Sequence, residues 1–346
     1  MPLSTSSSNA AAARPGGPGG PGGLTRGTWL LFALTALLLT GVELVSNYGF
    51  NHISAIQRRT VRDIGEARRL RSAPPGQPAT ALFAGNSLML HGIDVERLQS
   101  GVSAEMRPTF LPVESTYYHD FYYGLENLLR HGMRPQYVIL CLGPTFMVST
   151  QIRGEYSAHY LFDAQGIVEY VRETHTHPTE ASSLLFAHFS AFYGGRKEMR
   201  SYLLTRLIPG FFEMIKRLTY RHGIVPNDAE LSRDFEVRLR ALRDLCARYG
   251  ARFIYVIMPS RQAGEDATLE AGIRTGVPVL LPVRNFSLPK DYYIDEFHLN
   301  EKGAAVFSDA LAGCLSRLVR SGHASPTACD GRNAAAVGGT DTSRIP

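Results

Sequence analysis

Short apolar runs recur along this chain, and segments with apolar residues at helical spacing separate them. The runs have the length of strands and lie at residues 80–84, 108–113, 137–142, 252–258 and 277–281. Continuous apolar runs are typical of parallel strands that are buried on both faces. Helical spacing follows in 119–131, in the segment after Asn227 or Asp228, and in 300–319. Strands alternating with helices indicate βαβ units, so the pattern predicts an α/β fold with a five-stranded, mostly parallel sheet.

Residues 28–45 form a longer apolar stretch whose single charge, Glu43, lies near its end. The stretch is near the lower length limit for a helix that spans a membrane. A cleaved signal peptide has a shorter apolar core and a small-residue cleavage site, and no Ala-x-Ala sequence follows here. A buried helix of a soluble domain is disfavoured by the polar tail that precedes the stretch. We therefore predict a retained, single-pass membrane anchor.

The composition on either side of the anchor and at the end of the chain sets the domain boundaries. Residues 1–25 and 321–346 are rich in small residues and are predicted to be disordered tails. Residues 51–78 contain six arginines and end in three prolines, which predicts an Arg-rich stalk and linker. The remaining domain is predicted at 79–320. Within it, residues 145–225 are not needed for the sheet and are predicted to form a helical insertion beside the active site.

The charge balance and the cysteines exclude several classes of protein. The formal net charge is +5 with arginine spread along the chain, so we predict no nucleic-acid partner. Cys141 and Cys246 lie in apolar patterns and are predicted to be core thiols, and we expect no structural disulfide. His175 and His177 form a close pair, but no carboxylate or cysteine set accompanies them. We therefore predict neither a metal nor a cofactor.

Two short motifs carry candidate chemistry at opposite ends of the domain. The first apolar run ends in Gly85-Asn86, which tolerates a tight turn, so Ser87 is predicted at the carboxyl edge of the sheet. Asp295 and His298 lie three residues apart, just before the closing helix. A serine nucleophile needs a base within hydrogen-bond reach, and that base needs an orienting group. We therefore predict Ser87 as nucleophile, His298 as base and Asp295 as orienter.

These motifs resemble those of a known family. The sequence Gly-Asn-Ser-Leu at 85–88 resembles the Gly-Asp-Ser-Leu signature of the SGNH (GDSL-like) hydrolase superfamily, and 295–303 resembles its last block. The resemblance implies a flavodoxin-like, three-layer fold and either ester hydrolysis or acyl transfer. The order Ser, Asp, His also occurs in α/β-hydrolases, but their Gly-x-Ser-x-Gly elbow is absent here. The plain alternative is a turn serine together with an Asp-x-x-His sequence that only caps the last helix.

The oxyanion hole is where the chain departs from the family pattern. The family usually supplies a Gly after the second strand and an Asn after the third. Here residues 114–118 contain no Gly, and residues 143–146 contain no Asn. The remaining donor candidates are the Ser87 N–H and, through backbone or hydroxyl, Ser115 or Thr116. This divergence predicts a slow or specialised enzyme, and it leaves open a non-catalytic membrane-anchored assembly or binding protein on the same scaffold.

The anchor, the divergent domain and the insertion together resemble the membrane-tethered acyl-transfer proteins of envelope polymers, such as the alginate O-acetylation and teichoic-acid D-alanylation proteins. The resemblance implies a periplasmic or otherwise extracytoplasmic domain, an acyl donor and an envelope glycan or lipid acceptor. It also implies a multispanning membrane-bound O-acyltransferase as partner. Arginines on both sides of the anchor do not favour this orientation, although large domains translocate regardless of charge.

One arginine is a candidate for substrate binding. Arg261 follows the fourth predicted strand, so it is expected at the same sheet edge as Ser87. Its guanidinium is suited to binding an anionic acceptor such as a uronate or a phosphate through paired hydrogen bonds. The alternative is a solvated loop arginine.

Overall fold

A five-stranded parallel sheet lies at the centre of the domain. The computed structural model describes residues 25–211, 214, 228–260, 263–295, 297–321 and 329. The strands are β1 (Ala79–Gly85), β2 (Met106–Pro112), β3 (Tyr137–Leu142), β4 (Arg252–Ile257) and β5 (Val279–Leu280). They lie in the sheet in the order β2-β1-β3-β4-β5. The chain reverses its strand order between β1 and β3, as in doubly wound sheets. The predicted α/β class with a five-stranded parallel sheet is confirmed.

Helices cover both faces of the sheet and make three layers. Alternate strand residues face opposite sides, so Leu82 and Leu140 pack with one helix layer and Phe83 and Ile139 with the other. The helices are α1 (Arg26–Leu44), α2 (Asn51–Ile53), α3 (Ala55–Arg69), α4 (Ser87–Gly92), α5 (Val95–Val102), α6 (Tyr118–Arg130), α7 (Pro144–Val148), α8 (Glu155–Tyr160), α9 (Ala164–Thr174), α10 (Pro178–Phe189), α11 (Ala191–Leu207), α12 (Asp228–Arg248), α13 (Glu265–Thr275) and α14 (Glu301–Ser321). The first layer contains α3, α6, α12 and α13, and the second contains α4, α5 and α14.

Strand boundaries differ from the predicted ones at the two edges of the sheet. β2 begins at Met106 and includes Pro108, which the ladder tolerates because β2 is an edge strand. β5, on the opposite edge, is only two residues long. Short, proline-containing edge strands leave few free backbone groups for pairing with another chain.

The apolar N-terminal segment is a single long helix. α1 passes through a π-helical stretch, Val45–Phe50, into α2, and the helix Arg26–Ile53 counts 28 residues. Its most apolar 18-residue window has a mean hydropathy of 1.9. None of its most apolar window is buried against the rest of the chain. It is therefore long and apolar enough to cross a membrane, as the sequence predicts for a single-pass anchor.

The Arg-rich segment after the anchor does not form a stalk, and this part of the prediction is wrong. α3 packs against β2, and Ile64 and Ala67 are buried in the core between the sheet and the first helix layer. Gln57 accepts a hydrogen bond at 3.0 Å from the hydroxyl of Tyr156, which lies in the insertion. The buried positions 57, 60, 64 and 67 fall on one side of the helix, whereas the arginines, which dominate the composition, occupy the other sides.

The end of the chain also differs from the expectation. Cys314, on α14, and Cys329 form a disulfide with a Cα–Cα distance of 5.5 Å, and the Cys329 carbonyl accepts a hydrogen bond from the Leu281 N–H. The expectations of no disulfide and of a wholly disordered C-terminal tail are therefore wrong at this point. Cys141 and Cys246 are buried free thiols, as predicted. Ser321 ends α14, and residues 1–24, 322–328 and 330–346 lie outside the described residues.

The insertion is helical where the structure describes it. It comprises α7 to α11, and its residues 212–213 and 215–225 lie outside the described ones. His175 and His177 have local roles here, because His175 ends α9 in a left-handed conformation and the His177 side chain accepts a hydrogen bond from the Thr179 N–H.

Candidate active site

A tight turn after β1 presents Ser87 at the carboxyl edge of the sheet. Gly85 ends the strand, and a Cβ atom there would lie 2.5 Å from the Cys141 carbonyl oxygen and 2.7 Å from the Met89 Cβ. Only glycine therefore fits at this position. Ser87 is the first residue of α4 and is partly exposed.

The Asn86 side chain hydrogen-bonds both to α4 and to the loop after β2. Its side-chain oxygen accepts a hydrogen bond from the Leu88 N–H at 3.0 Å, which caps α4. Its side-chain amide donates to the carbonyl of Thr116 at 3.3 Å. Asn86 is fully buried, so both bonds lie away from water. The nucleophile turn is therefore tied to the loop that follows β2.

The structure brings the three predicted triad residues together. His298 Nε2 lies 2.9 Å from Ser87 Oγ, and His298 Nδ1 lies 3.0 Å from Asp295 Oδ2. With its proton on Nδ1, His298 donates to Asp295 and accepts the hydroxyl proton of Ser87. Both distances are within direct hydrogen-bond reach, so the arrangement can transfer a proton from Ser87 to His298.

Asp295 is fixed by its own loop. Its Oδ1 accepts hydrogen bonds from the backbone N–H groups of Phe297 at 2.8 Å and His298 at 2.7 Å. Burial opposes ionisation of Asp295, but the hydrogen bonds from the His298 ring and from these two N–H groups outweigh it and lower its pKa to about 2. Asp295 is therefore an ionised, oriented partner for His298 at neutral pH.

The helix that follows the triad loop explains why the motif continues beyond His298. The Asn300 side chain caps α14 by accepting from the N–H groups of Lys302 at 3.0 Å and Gly303 at 3.2 Å. A Cβ atom on Gly303 would lie 2.5 Å from the Tyr292 carbonyl oxygen. α14 then packs against α4 and α5, which holds the loop of His298 over the turn of Ser87.

A second histidine, which the sequence reasoning missed, lies beside the triad. The rings of His91 and His298 are 5.1 Å apart and meet edge to face. Partial burial, followed by the charge of His298, lowers the pKa of His91. His91 follows Ser87 by four residues, which places both on one side of α4. That spacing was the available signal.

The predicted oxyanion donors after β2 separate into two cases. Thr116 is fully buried, its hydroxyl donates to the Val113 carbonyl, and its own carbonyl accepts from Asn86. The Thr116 hydroxyl is therefore engaged in the interior, and that part of the prediction is wrong. Ser115 is exposed and adopts a φ of 57°. It thus takes a left-handed conformation that favours glycine, the residue that the family pattern expects in this loop.

The loops after β3 and β4 also reach this edge. A Cβ atom on Gly143 would lie 3.1 Å from the Leu88 side chain and 3.7 Å from Ser260 Oγ. Ser260 is fully buried, and within the described part of the chain its Oγ makes no hydrogen bond. Arg261 lies outside the described residues, so its substrate-binding role stays a prediction.

The start of the insertion supports the loop that carries Ser115. The Arg153 guanidinium donates to the Glu114 carbonyl at 2.8 Å, and the Glu114 carboxylate pairs with Arg59 of α3. The Arg153 N–H also donates to Asp120 Oδ1 at 3.0 Å. The loop is thus held between α3 and the insertion.

Comparisons of this chain with protein-family models and with curated proteins find no match. The assignment of a function therefore depends on the geometry of the site.

Proposed function

We propose that this protein is a membrane-anchored serine acyltransferase or esterase of the SGNH type that acts on an envelope polysaccharide or lipid. The observation that carries the proposal is the hydrogen-bonded series Ser87, His298 and Asp295, with separations of 2.9 and 3.0 Å. Its members come from the two ends of the domain and meet where doubly wound sheets bind ligands.

The first half-reaction forms an acyl-enzyme. Ser87 Oγ attacks the carbonyl carbon of the acyl donor while His298 Nε2 takes the hydroxyl proton. Ionised Asp295 stabilises the imidazolium that results. When the tetrahedral intermediate collapses, the bond to the leaving group breaks and His298 returns the proton to that group. The acyl group is then an ester of Ser87.

The second half-reaction uses the same groups in reverse. His298 removes the proton from an acceptor hydroxyl, and the acceptor oxygen attacks the acyl carbon. The bond to Ser87 Oγ breaks, and His298 returns its proton to Ser87. A glycan or lipid hydroxyl makes the protein a transferase, whereas water makes it a hydrolase.

In this proposal the backbone N–H groups of Ser87 and Ser115 stabilise the oxyanion. Each such donor typically contributes about 3 kcal/mol to lowering the barrier. The left-handed backbone of Ser115 supports this role, because residues in unusual conformations are concentrated at functional sites.

We infer the location and the partners from the anchor and from the architectural resemblance. The disulfide supports an extracytoplasmic domain, because structural disulfides persist in oxidising compartments. The acyl donor is proposed to come from a multispanning membrane-bound O-acyltransferase. The architectural resemblance supports this partner.

A second candidate function is a non-catalytic assembly protein on the same scaffold. It is favoured by a single feature, the absence of both the Gly and the Asn that the family uses for the oxyanion. On this view, the triad residues serve only to close the domain.

The two functions are separated by active-site labelling of the purified full chain with a fluorophosphonate probe. We expect labelling at Ser87 that disappears in Ser87→Ala and falls strongly in His298→Ala. Ser103→Ala, which removes a surface hydroxyl on the second helix layer, is the matched control and should label normally. No labelling of a folded sample, together with full function of Ser87→Ala in cells, would favour the assembly protein.

A further inference from the structure

The insertion exposes a cluster of large apolar side chains on α10 and α11. Phe186 and Phe189 of α10 are 68% and 78% exposed, and Leu203 and Leu207 of α11 are 55% and 74% exposed. Several large apolar side chains exposed on two neighbouring helices indicate an interaction site. The cluster makes no contribution to the triad, so the proposed chemistry does not account for it.

Glu43 connects this cluster to the membrane anchor. Its carboxylate accepts hydrogen bonds from the Ser190 hydroxyl, from the Ala191 N–H at 2.8 Å and from the Phe192 N–H at 3.4 Å. The charge near the end of the apolar stretch therefore caps the N-terminus of α11. If α1 spans the bilayer, this contact places the junction of α10 and α11 at the level where α1 leaves the membrane.

From that junction a groove of about 990 Å³ opens between α1 and α11. Its walls are apolar and include Leu34, Leu37 and Leu38 from α1 and Leu203, Leu204 and Leu207 from α11. Leu34 precedes Glu43 by nine residues, which is about 13 Å along a helix. If α1 spans the bilayer, the groove therefore lies at the depth of the acyl chains.

Two arginines of α11 line the same groove. Arg196 pairs with Glu155 at 2.9 Å and lies 3.7 Å from the centre of the Tyr193 ring. Arg200 is exposed, and no carboxylate within the described residues pairs with it. Long basic side chains at this depth extend to the phosphates of the lipid headgroups.

We propose that the hairpin of α10 and α11 inserts into the leaflet on the domain side, and that phospholipid fills the groove. The acyl chains occupy the space between the two leucine rows, and Arg200 binds the phosphate. The apolar walls, their continuity with the anchor and the basic rim together fit a phospholipid. This inference goes beyond the proposed acyl transfer and does not depend on it.

The test measures the depth of a tryptophan in proteoliposomes that contain the full chain. Trp29 is the single tryptophan of the sequence, so Trp29→Phe gives a silent background. Phe189→Trp or Phe186→Trp is introduced into this background, and vesicles contain acyl-brominated phosphatidylcholine with about one-fifth phosphatidylglycerol. Ile273→Trp is the matched control, because Ile273 is an exposed apolar residue on α13, which packs beside the edge strand β5.

We expect the brominated chains to quench about half or more of the emission of both hairpin tryptophans, because interfacial helices bury their apolar face by about 5–10 Å. The Ile273→Trp emission should not change. Unquenched emission from both hairpin variants would overturn the proposal, provided that Trp29 of the unaltered chain is quenched and so reports an inserted anchor. A protein partner would then be the remaining occupant of the surface.

The phosphate contact is tested separately by native mass spectrometry of the detergent-extracted chain. Arg200→Ala should retain about fivefold less phosphatidylglycerol, since one basic residue contributes about 1 kcal/mol at an anionic surface. Arg200→Lys keeps the charge and should retain the lipid. Equal retention by all three chains would overturn the role of Arg200.

Discussion

Replacing Asp295 by asparagine tests the proposed chemistry most directly. The side-chain oxygen of the introduced amide can still accept from the N–H groups of Phe297 and His298, so the loop should keep its shape. The amide nitrogen then faces His298 Nδ1, where the carboxylate oxygen now lies at 3.0 Å. Because that nitrogen is a donor, His298 must carry its proton on Nε2 and can no longer take the proton of Ser87.

The expected loss of activity is large because the histidine has the wrong tautomer. The same substitution in a serine triad lowers the rate by about 10⁴, which corresponds to about 5 kcal/mol in the barrier. Fluorophosphonate labelling of the full chain over time measures this rate. Asp291→Asn, in the short helical turn Lys290–Tyr292, removes a nearby carboxylate and should label normally.

The same substitution should have a small effect on stability that depends on pH. Lowering the Asp295 pKa from 3.8 to about 2 corresponds to a contribution of at most about 2.5 kcal/mol to the free energy of unfolding, and solvent screening reduces this contribution to about 1 kcal/mol. The pKa is depressed in the folded state, so this stability is present above pH 4 and is lost as the pH falls towards 2. Urea unfolding of the detergent-solubilised chain at pH 7 and pH 3 should show the stability difference between the unaltered chain and Asp295→Asn narrowing at the lower pH.

The activity prediction has its own refutation. Labelling of Asp295→Asn at a rate within a few-fold of that of the unaltered chain would refute the role of Asp295.

Three further predictions concern positions with clear local geometry. Gly85→Ala should abolish labelling and lower the free energy of unfolding by about 1–3 kcal/mol, since its Cβ would lie 2.5 Å from the Cys141 carbonyl oxygen. Gly313→Ala, whose Cβ would have its nearest neighbour at 3.5 Å, is the control and should keep both the labelling and the melting temperature of the unaltered chain. Ser115→Gly should raise stability by about 1 kcal/mol and keep labelling, because glycine adopts a φ of 57° without strain; a lower melting temperature would contradict this. Glu43→Ala should remove the cap of α11 and lower the free energy of unfolding of the detergent-solubilised chain by about 1 kcal/mol, and an unchanged free energy of unfolding would argue against the cap.

The sequence predicted the sheet and the triad because both depend on short, local signals. Strands buried on both faces need continuous apolar runs, and β1, β3 and β4 have them. The turn at Gly85 and the loop at Asp295 each require particular residue types at adjacent positions, so a short sequence motif is enough to identify them. The bounds of the edge strands β2 and β5 differ from the predicted ones because fewer neighbouring strands constrain them.

The features that sequence reasoning missed depend on contacts between distant segments. Docking of α3 depends on a narrow buried side that its arginines obscure in the composition. The disulfide depends on Cys329 reaching the edge of β5 at Leu281, and no spacing rule predicts that. The inward orientation of the Thr116 hydroxyl is set by the Val113 carbonyl and by Asn86.

If the chain acts at a membrane as proposed, the docking of α3 limits which molecules the site can reach. A flexible stalk would let Ser87 sample a hemisphere above the bilayer, whereas the anchor leads through α2 and the Ser54 cap directly into a 15-residue helix that is packed on the domain. That helix spans about 22 Å and, through Arg59 and Glu114, contacts the loop that carries Ser115. In the proposed membrane-anchored enzyme, this packing holds Ser87 at a fixed height above the bilayer, and diffusion in two dimensions brings it only to acceptors that are attached to the membrane or pass at that height. The distance between the anchor and the site would then contribute to substrate selectivity, independently of any pocket.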